Sequence, residues 1–325
     1  MPESLRILIT GANGFVGRHL IRTLLTQGRL DSHGPAIATI TAVDQFIDGT
    51  MGDRRIRTVQ GDIGDTQVRT QALQDGIDVA FHLAAVPGGA AERDYTLGKS
   101  VNVQATQLLF EALREQAHVP VVVYTSTIGV YGVPLPTDRV DDHTPIRPTL
   151  SYGAHKLMME VALCDFSRRG WLDGRAVRLP GILARPRQPN GLLSAYLSDV
   201  FSALRANEPF TLPVSPHSSS WLMSVHCLVR NLIHAAALPA AALPNWRAWN
   251  LPALCLRADE LIDALAAVLG EHVRALVSYA PNETLEAQFG RYPPLFSETA
   301  DRLGFRHDGD AVSLVRDVLA GLSSS

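Results

Sequence analysis

"LRILITGANGFVGRHLIRTLLTQG", residues 5–28, contains the pattern that decides the fold. Its first part, "LRILIT" (5–10), is a short apolar run typical of a buried β-strand. Its last part, "FVGRHLIRTLLTQG" (15–28), has apolar residues at helical spacing and ends at Gly28, a residue type that commonly follows a helix. A strand followed at once by a helix predicts the first βα unit of an α/β protein.

The turn between this strand and this helix is rich in glycine, with Gly11, Gly14 and Gly17 in "TGANGFVG" (10–17). Glycines at this spacing allow the backbone to turn tightly, to approach a pyrophosphate and to pack the helix against the sheet. The helix N-terminus then offers free N–H groups and a positive dipole end to the anion. The position of the motif indicates a dinucleotide-binding site. The residues expected to contact the dinucleotide here are Gly11, Asn13, Gly14, Phe15, Val16 and Gly17.

Apolar bursts and helical segments continue to alternate through the first half of the chain. This alternation predicts a doubly wound, Rossmann-type α/β fold with a parallel sheet. From "ARPRQPNG" (184–191) onward prolines become dense and the alternation breaks up. We therefore expect an NAD-binding Rossmann domain over 1–183 and a smaller mixed α/β substrate-binding lobe over 184–325, parts of which are free to fold back onto the first. Further strands are predicted at 40–44, 56–62, 78–85, 119–127 and 174–183, and helices at 66–73, 100–116 and 151–168.

Two acidic residues follow predicted strands and concern the adenosine half of the dinucleotide. Asp44, at the end of "ITAVD" (40–44), is placed to accept hydrogen bonds from a ribose. Its carboxylate repels a 2′-phosphate and no Arg follows it directly, so NAD is expected rather than NADP. Asp62, with Ile63 beside it, either faces the adenine or caps its own loop, and the sequence leaves both roles open.

The fourth predicted strand ends in "HLAA" (82–85), whose small residues allow the backbone to pass beside the dinucleotide. Leu83, Ala84 and Ala85 are therefore expected to contact the cofactor. His82 is expected to be packed and hydrogen-bonded inside the protein rather than to bind a ligand.

"SYGAHK" (151–156) places Tyr152 and Lys156 four residues apart, so both side chains lie on one helix face. They are either an ordinary exposed face or a proton-transfer pair. A phenol, with a pKa of about 10, is a poor base at neutral pH. A lysine ammonium one turn away stabilises the phenolate and lowers that pKa. The same lysine can hold the nicotinamide ribose.

The motifs "TGANGFVG", "HLAA", "TSTIGVYG" (125–132) and "YGAHK" (152–156), in this order, resemble those of the extended short-chain dehydrogenases/reductases. This is the family of NAD-dependent epimerases, dehydratases and related dehydrogenases, and the resemblance covers about residues 5–185. It implies Tyr152 as the base, Lys156 as its partner, and Thr127 with Ser126 as polar contacts to the substrate oxygen. The further cofactor contacts that it implies are Asn102 and Pro180.

Four positions depart from the patterns of particular family members. Dehydratases carry an acidic pair after the catalytic Thr, where this chain has Ile128 and Gly129. Nucleotide-sugar epimerases carry an Arg that grips the diphosphate and a later Asp, where this chain has Ser220 and Cys227. The departures argue against elimination chemistry and against a nucleotide on the substrate.

The segments "RPRQPN" (185–190) and "WLMS" (221–224) are similar to those of a branch that oxidises the C2 hydroxyl of a four-carbon sugar acid with NAD. In this interpretation Arg185 or Arg187 binds the substrate carboxylate, Asn190 binds a hydroxyl and Gly88 forms a wall of the pocket. Each Arg could equally be a solvated surface charge. The expected reaction is oxidation of a small sugar acid such as D-erythronate to its 2-oxo acid. The alternatives are a nucleotide-sugar epimerase and a non-catalytic NAD-binding regulatory protein.

Composition limits the partners. The net charge is −3 and Lys and Arg are scattered, so no surface suited to nucleic acid is expected. No apolar run approaches the roughly 20 residues of a membrane span. The three cysteines lack the spacing of a metal site, and no metal is expected. We expect a cytoplasmic protein that binds a small molecule. The family resemblance implies a homodimer that pairs through the helices at 100–116 and 151–168.

Overall fold

A computed structural model describes residues 4–48, 52–183 and 194–322. Twelve β-strands are seen in this part of the chain. They are β1 (Ser4–Thr10), β2 (Ala36–Asp44), β3 (Ile56–Gln60), β4 (Val79–His82), β5 (Val121–Thr127), β6 (Asp173–Leu179), β7 (Gly181–Ile182), β8 (Phe210–Leu212), β9 (Ser219–Met223), β10 (Ala248–Asn250), β11 (Leu254–Arg257) and β12 (Val277–Tyr279).

Seven of the strands form a single sheet in the order β10-β6-β5-β4-β1-β2-β3. The pairs β1–β2, β2–β3, β1–β4 and β4–β5 are parallel. The chain runs outward from β1 to β3 on one side and from β4 to β6 on the other. The order of strands therefore reverses between β1 and β4, the place where doubly wound sheets bind ligands at the carboxyl ends of their strands. This confirms the predicted fold class.

The same ranges of the chain contain twelve α-helices. They are α1 (Phe15–Gln27), α2 (Thr66–Leu73), α3 (Gly88–Arg93), α4 (Tyr95–Lys99), α5 (Thr106–Arg114), α6 (Ser151–Arg168), α7 (Tyr196–Arg205), α8 (Val225–Ala237), α9 (Ala258–Leu269), α10 (Glu283–Phe289), α11 (Glu298–Arg302) and α12 (Ala311–Leu322). A π-helical segment, Ser100–Ala105, joins α4 to α5.

The helix predicted at 100–116 begins earlier than expected. Its first residue is Tyr95, because the Asp94 side chain accepts a hydrogen bond from Leu97 N at 2.9 Å and caps the helix there. The predictions for α1, α2 and α6 are confirmed to within one residue. No helix in the described ranges has both the length and the apolar composition needed to span a membrane.

The prediction of a single strand over 174–183 is wrong. The chain ends β6 at Leu179, and after Pro180 it continues as β7, which pairs with β9 in a separate three-stranded sheet. Proline has no N–H to donate to a ladder, so it separates two short strands here.

The chain divides into two compact units. The first unit contains Met1–Thr127, Leu150–Arg178 and Val229–Trp249. The second contains Ile128–Thr149, Leu179–Leu228 and Asn250–Ser325. Each unit has its own buried apolar cluster, with Leu109 and Phe110 in the first and Phe201 and Leu265 in the second. The boundary predicted at 183/184 adjoins residues that the structure does not describe and stays a prediction.

Candidate active site

The glycine turn between β1 and α1 packs against the loop that follows β4. Gly11 has φ +70°, and a Cβ added there would lie 2.8 Å from Ala84 N. A Cβ on Gly17 would lie 2.2 Å from Gly11 O, which shows how closely α1 approaches the turn. Leu83 N donates to Thr10 O at 3.2 Å at the same place. The structure therefore brings the glycine motif and "HLAA" together at the edge where the strand order reverses.

Asp44 is tied directly to the glycine turn. Asn13 N donates to Asp44 Oδ2 at 2.8 Å, and Arg18 Nε donates to Asn13 O at 2.9 Å. Asn13 Oδ1 is buried without a hydrogen-bond partner among the described residues, and the first turn of α1 carries no acidic residue. An unsatisfied acceptor, free helix N–H groups and a carboxylate at the end of β2 fit the ribose and pyrophosphate of NAD.

Asp62 caps its own loop, which was one of the two roles that the sequence left open. Its Oδ1 accepts a hydrogen bond from Gly64 N at 2.8 Å, and its carbonyl accepts one from Asp65 N at 2.9 Å. Ile63 beside it is buried. A contact from Asp62 or Ile63 to the adenine stays a prediction.

His82 is a packed histidine. Its Nδ1 lies 2.6 Å from Thr10 Oγ1 and its Nε2 lies 2.8 Å from Thr106 Oγ1, while Thr125 Oγ1 donates to its carbonyl at 3.0 Å. Burial lowers the pKa of His82 to about 3, so the ring is neutral at neutral pH. It links β1, β4, β5 and α5 behind the candidate site.

Asn102 lies in the π-helical segment and holds the loop that follows β4. Its Oδ1 accepts from Val86 N at 2.8 Å, and its Nδ2 donates to Val86 O at 3.0 Å. Gly88 lies two residues after Val86 and faces Tyr152, because a Cβ added there would lie 3.8 Å from Tyr152 Cδ1. The structure thus brings the predicted pocket residue Gly88 next to the predicted base.

Lys156 is buried beside Tyr152 and is not part of an exposed face. Its Nζ donates to Thr125 O at 2.8 Å and lies 4.7 Å from the Tyr124 ring centre and 5.8 Å from that of Tyr152. Burial lowers the pKa of Lys156 to about 7, and the nearby Glu160 carboxylate acts in the opposite direction. A buried lysine poised near neutrality beside a tyrosine has the chemistry of a proton-transfer pair.

Ser126 and Thr127 end β5, and they differ in their surroundings. The Ser126 hydroxyl is buried and donates to Glu160 Oε1. Thr127 is the last residue of the strand and precedes a single 3₁₀ turn, Ile128–Tyr131. Contacts from either hydroxyl to a substrate oxygen stay predictions.

Sequence reasoning missed a buried ion pair beside these residues. Arg178 Nη2 donates to Glu160 Oε2 at 2.8 Å and Arg178 Nε donates to Oε1 at 3.0 Å, and both side chains are almost completely buried. The spacing contained a signal, since Glu160 follows Lys156 by four residues on α6 just as Lys156 follows Tyr152.

Ser220 and Cys227 are both buried and uncharged. Ser220 Oγ donates to Phe289 O at 2.6 Å, and Cys227 Sγ lies 3.2 Å from Arg306 O. Pro180 lies between β6 and β7, and its contact with NAD stays a prediction. Arg185, Arg187 and Asn190 lie outside the described residues. In residues 4–48, 52–183 and 194–322, no three His, Cys, Asp or Glu side chains are grouped to hold a metal ion.

Comparison with known proteins decides the family. Residues 7–219 match the model of the NAD dependent epimerase/dehydratase family. The chain belongs to this family. It is 38% identical to the D-erythronate dehydrogenase of Cupriavidus necator over 98% of this chain and 100% of that protein. It is 29% identical to the D-erythronate dehydrogenase of Haemophilus influenzae over 97% of this chain and 99% of that protein.

A solved structure is also similar along 98% of this chain. It is described as the nucleoside-diphosphate-sugar epimerase from Agrobacterium tumefaciens, with a TM-score of 0.89 and 32% identity over 98% of this chain and 95% of that chain. As a family member, the present chain takes NAD as its cofactor and is an NAD-dependent dehydrogenase. The alternative of a non-catalytic NAD-binding protein is therefore wrong.

Proposed function

We propose that this dehydrogenase oxidises the C2 hydroxyl of a small sugar acid, of the D-erythronate kind, to the 2-oxo acid. The observation that carries the proposal is the 38% identity to a D-erythronate dehydrogenase along 98% of the chain. That similarity extends through the second unit, beyond the 7–219 range of the family model. The uncharged Ser220 supports a substrate without a diphosphate.

Tyr152 is the proposed base. The C2–H bond breaks with its electron pair, and the hydride is accepted by NAD, which supplies the redox chemistry. The hydroxyl proton passes to the Tyr152 phenolate oxygen, and the C2–O bond becomes a carbonyl. The products are the 2-oxo acid, NADH and a protonated Tyr152, which returns its proton to solvent.

Lys156 stabilises the phenolate in this scheme and binds the nicotinamide ribose. Its burial strengthens the first effect, because a cation acts more strongly on a neighbouring charge where water is excluded. Thr127 donates a hydrogen bond to the reacting oxygen, and Gly88, Arg185 and Asn190 contact the rest of the acid. The predicted contact from Ser126 is not part of the scheme, because its hydroxyl donates to Glu160.

The fate of isotopic hydrogen tests the position of oxidation. Purified enzyme and NAD are incubated with D-erythronate carrying deuterium at C2 or, in a matched sample, at C3. We expect deuterium from C2 to appear in NADH and deuterium from C3 to stay in the product. Transfer from C3, or an absence of NADH from any four- to six-carbon sugar acid, would overturn the proposal.

Nucleotide-sugar epimerisation is a second candidate, favoured by the likeness to the Agrobacterium tumefaciens structure. An epimerase returns the hydride to the same substrate and releases no net NADH. Incubation with UDP-sugars and chiral analysis of the product distinguishes the two. We expect unchanged UDP-sugar, and an inverted centre without NADH release would favour the epimerase.

We also propose a homodimer. Exposed apolar side chains occur on the helices that the sequence analysis expects to pair. They are Tyr95 and Leu97 on α4, Leu108 on α5, and Met158 and Val161 on α6. An exposed apolar stripe across neighbouring helices is typical of a surface that another chain covers.

A further inference from the structure

We infer that Glu160 is a positioning residue for the reaction: its buried carboxylate, held by Arg178 and Ser126, keeps Lys156 protonated behind Tyr152. The inference rests on the proposed role of Tyr152 as base and adds a residue that does not touch the substrate. The evidence is the geometry of α6 and of the strands that face it.

Tyr152, Lys156 and Glu160 follow one another at intervals of four residues on α6. Residues at this spacing lie on one face of a helix, each about one turn from the next. A phenol, an ammonium and a carboxylate therefore stand in a row on one side of α6. Tyr152 lies in the first turn of this 18-residue helix, and Lys156 and Glu160 lie in its interior.

The carboxylate of Glu160 is fixed from two strands. Arg178 on β6 binds both of its oxygens, with Nη2 at 2.8 Å from Oε2 and Nε at 3.0 Å from Oε1. Ser126 on β5 donates its hydroxyl to Oε1. Glu160 has no solvent exposure. A bidentate ion pair and a hydroxyl donor therefore hold the carboxylate in one orientation.

The charges around Lys156 show why this carboxylate matters. The titratable groups that face Lys156 are Tyr124 on β5, His82 on β4, Tyr152 and Glu160 on α6, and Arg178 on β6 beyond Glu160. Among these named groups, Glu160 is the one carboxylic acid. Because burial disfavours the ammonium, its charge depends on the carboxylate one turn away.

The arrangement also leaves a positive charge for the phenolate. Arg178 and Ser126 supply hydrogen bonds to the Glu160 carboxylate, while Lys156 Nζ donates to Thr125 O. The ion pair of Glu160 is with Arg178, which leaves the Lys156 ammonium as the positive charge next to Tyr152. In this arrangement the Ser126 hydroxyl binds the Glu160 carboxylate and not the substrate.

The sequence allows a direct measurement, because it contains only two lysines, Lys99 and Lys156. The protein without NAD is labelled with ¹³C-lysine, and the Cε signals are followed by NMR as the pH is raised. In wild type the Lys156 signal is expected to titrate near pH 7, as its lowered pKa indicates. Exposed Lys99 serves as an internal reference.

Glu160→Gln is expected to move the Lys156 midpoint to lower pH by about one unit or more, with Lys99 unchanged. Glu160→Asp keeps the charge and should stay near wild type. Glu115→Gln is the matched control, because it removes an exposed carboxylate of the same unit. An unmoved Lys156 midpoint in Glu160→Gln, or an equal shift in Glu160→Asp, would overturn the inference.

A kinetic profile separates this inference from the proposed function. The alkaline limb of kcat/KM should move to lower pH in Glu160→Gln, since Lys156 loses its proton earlier. If the NMR shift is present while Tyr152→Phe retains full turnover, the Glu160 effect stands and the base assignment fails. Should Glu160→Gln not fold, Ser126→Ala is expected to shift the Lys156 midpoint in the same direction by less, and an unmoved midpoint there contradicts the inference.

Discussion

Burial lowers the pKa of two residues next to the candidate site, His82 and Lys156, but their charge states at neutral pH differ. Burial, and next to it the positive charge of nearby Lys156, lowers the pKa of His82 and keeps its ring neutral. Lys156 is buried just as deeply, yet the charge of the Glu160 carboxylate favours its protonated form. His82 is therefore neutral at neutral pH and takes no part in the proposed proton transfer. Lys156, with a pKa of about 7, can be protonated there.

The buried His82 predicts how stability depends on pH. Its pKa is about 3 in the folded protein and about 6.5 for a histidine exposed to water, so the unfolded state binds more protons between these values. Stability from neutral His82 is complete above pH 6.5 and is lost as the pH falls towards 3. Each pH unit in this window costs the folded state up to about 1.4 kcal/mol.

Urea unfolding of wild type and His82→Gln between pH 7 and pH 4.5 measures this contribution. The variant is expected to be less stable at pH 7, because two buried hydroxyls lose their partner, by about 1–3 kcal/mol. The difference should shrink as the pH falls. Parallel stability curves for the two proteins would show that His82 does not titrate as described.

The sequence predicted some of the side-chain contacts in the candidate site and did not predict others. The four-residue spacing of Tyr152 and Lys156 predicted a shared face, and α6 has that face. The hydrogen bond from Lys156 to Thr125 O depends on how closely α6 packs on β5, which no local pattern encodes. The same is true of Arg178 and Glu160, which lie 18 residues apart on different elements.

At the scale of elements, helix α6 carries the row from Tyr152 to Glu160, and its start is held by α3. Glu92 Oε2 accepts a hydrogen bond from Ser151 N at 2.8 Å, which satisfies one of the free N–H groups of the first turn. The same short helix begins at Gly88, the residue that faces the Tyr152 ring. Movement of α3 would therefore alter the pocket wall and the base together.

Elements with a strong local signal were predicted well. The bounds of α1 follow from the glycine turn before it and from Gly28, which has φ 68° after it. The strand predicted at 174–183 failed, because the apolar run continues across Pro180 while the backbone ladder does not. The π-helical segment was not predicted, and neither was the contact of its Asn102 with Val86, 16 residues away in the chain.

At the scale of the whole molecule, the strand order places the loops after β1 and β4 at the point where the sheet reverses direction. Such an order could be predicted from the alternation of strands and helices, since right-handed βαβ crossovers restrict the possible topologies. The presence of β10 in this sheet could not be predicted in this way, because β10 lies about 70 residues after β6 in the chain.

The exposed apolar helix faces predict the oligomeric state. A double variant, Met158→Glu with Val161→Glu, places two charges in the stripe on α6, and both positions are exposed in a single chain. We expect wild type to be a dimer and the variant a folded monomer, as measured by light scattering after size exclusion and by circular dichroism. Phe296→Glu, an exposed apolar position in the second unit, is the control and should leave the dimer intact. A monomeric wild type, or a dimeric double variant, would contradict the prediction.

The initial rate of NADH formation from D-erythronate, compared between wild type and Tyr152→Phe, tests the central claim most directly. The substitution removes a single hydroxyl and keeps the ring that packs beside Gly88. We expect wild type to form NADH and the variant to lose roughly a hundred- to ten-thousand-fold in rate, with the affinity for NAD retained in a binding titration. A Tyr152→Phe enzyme that keeps most of its turnover would contradict the account.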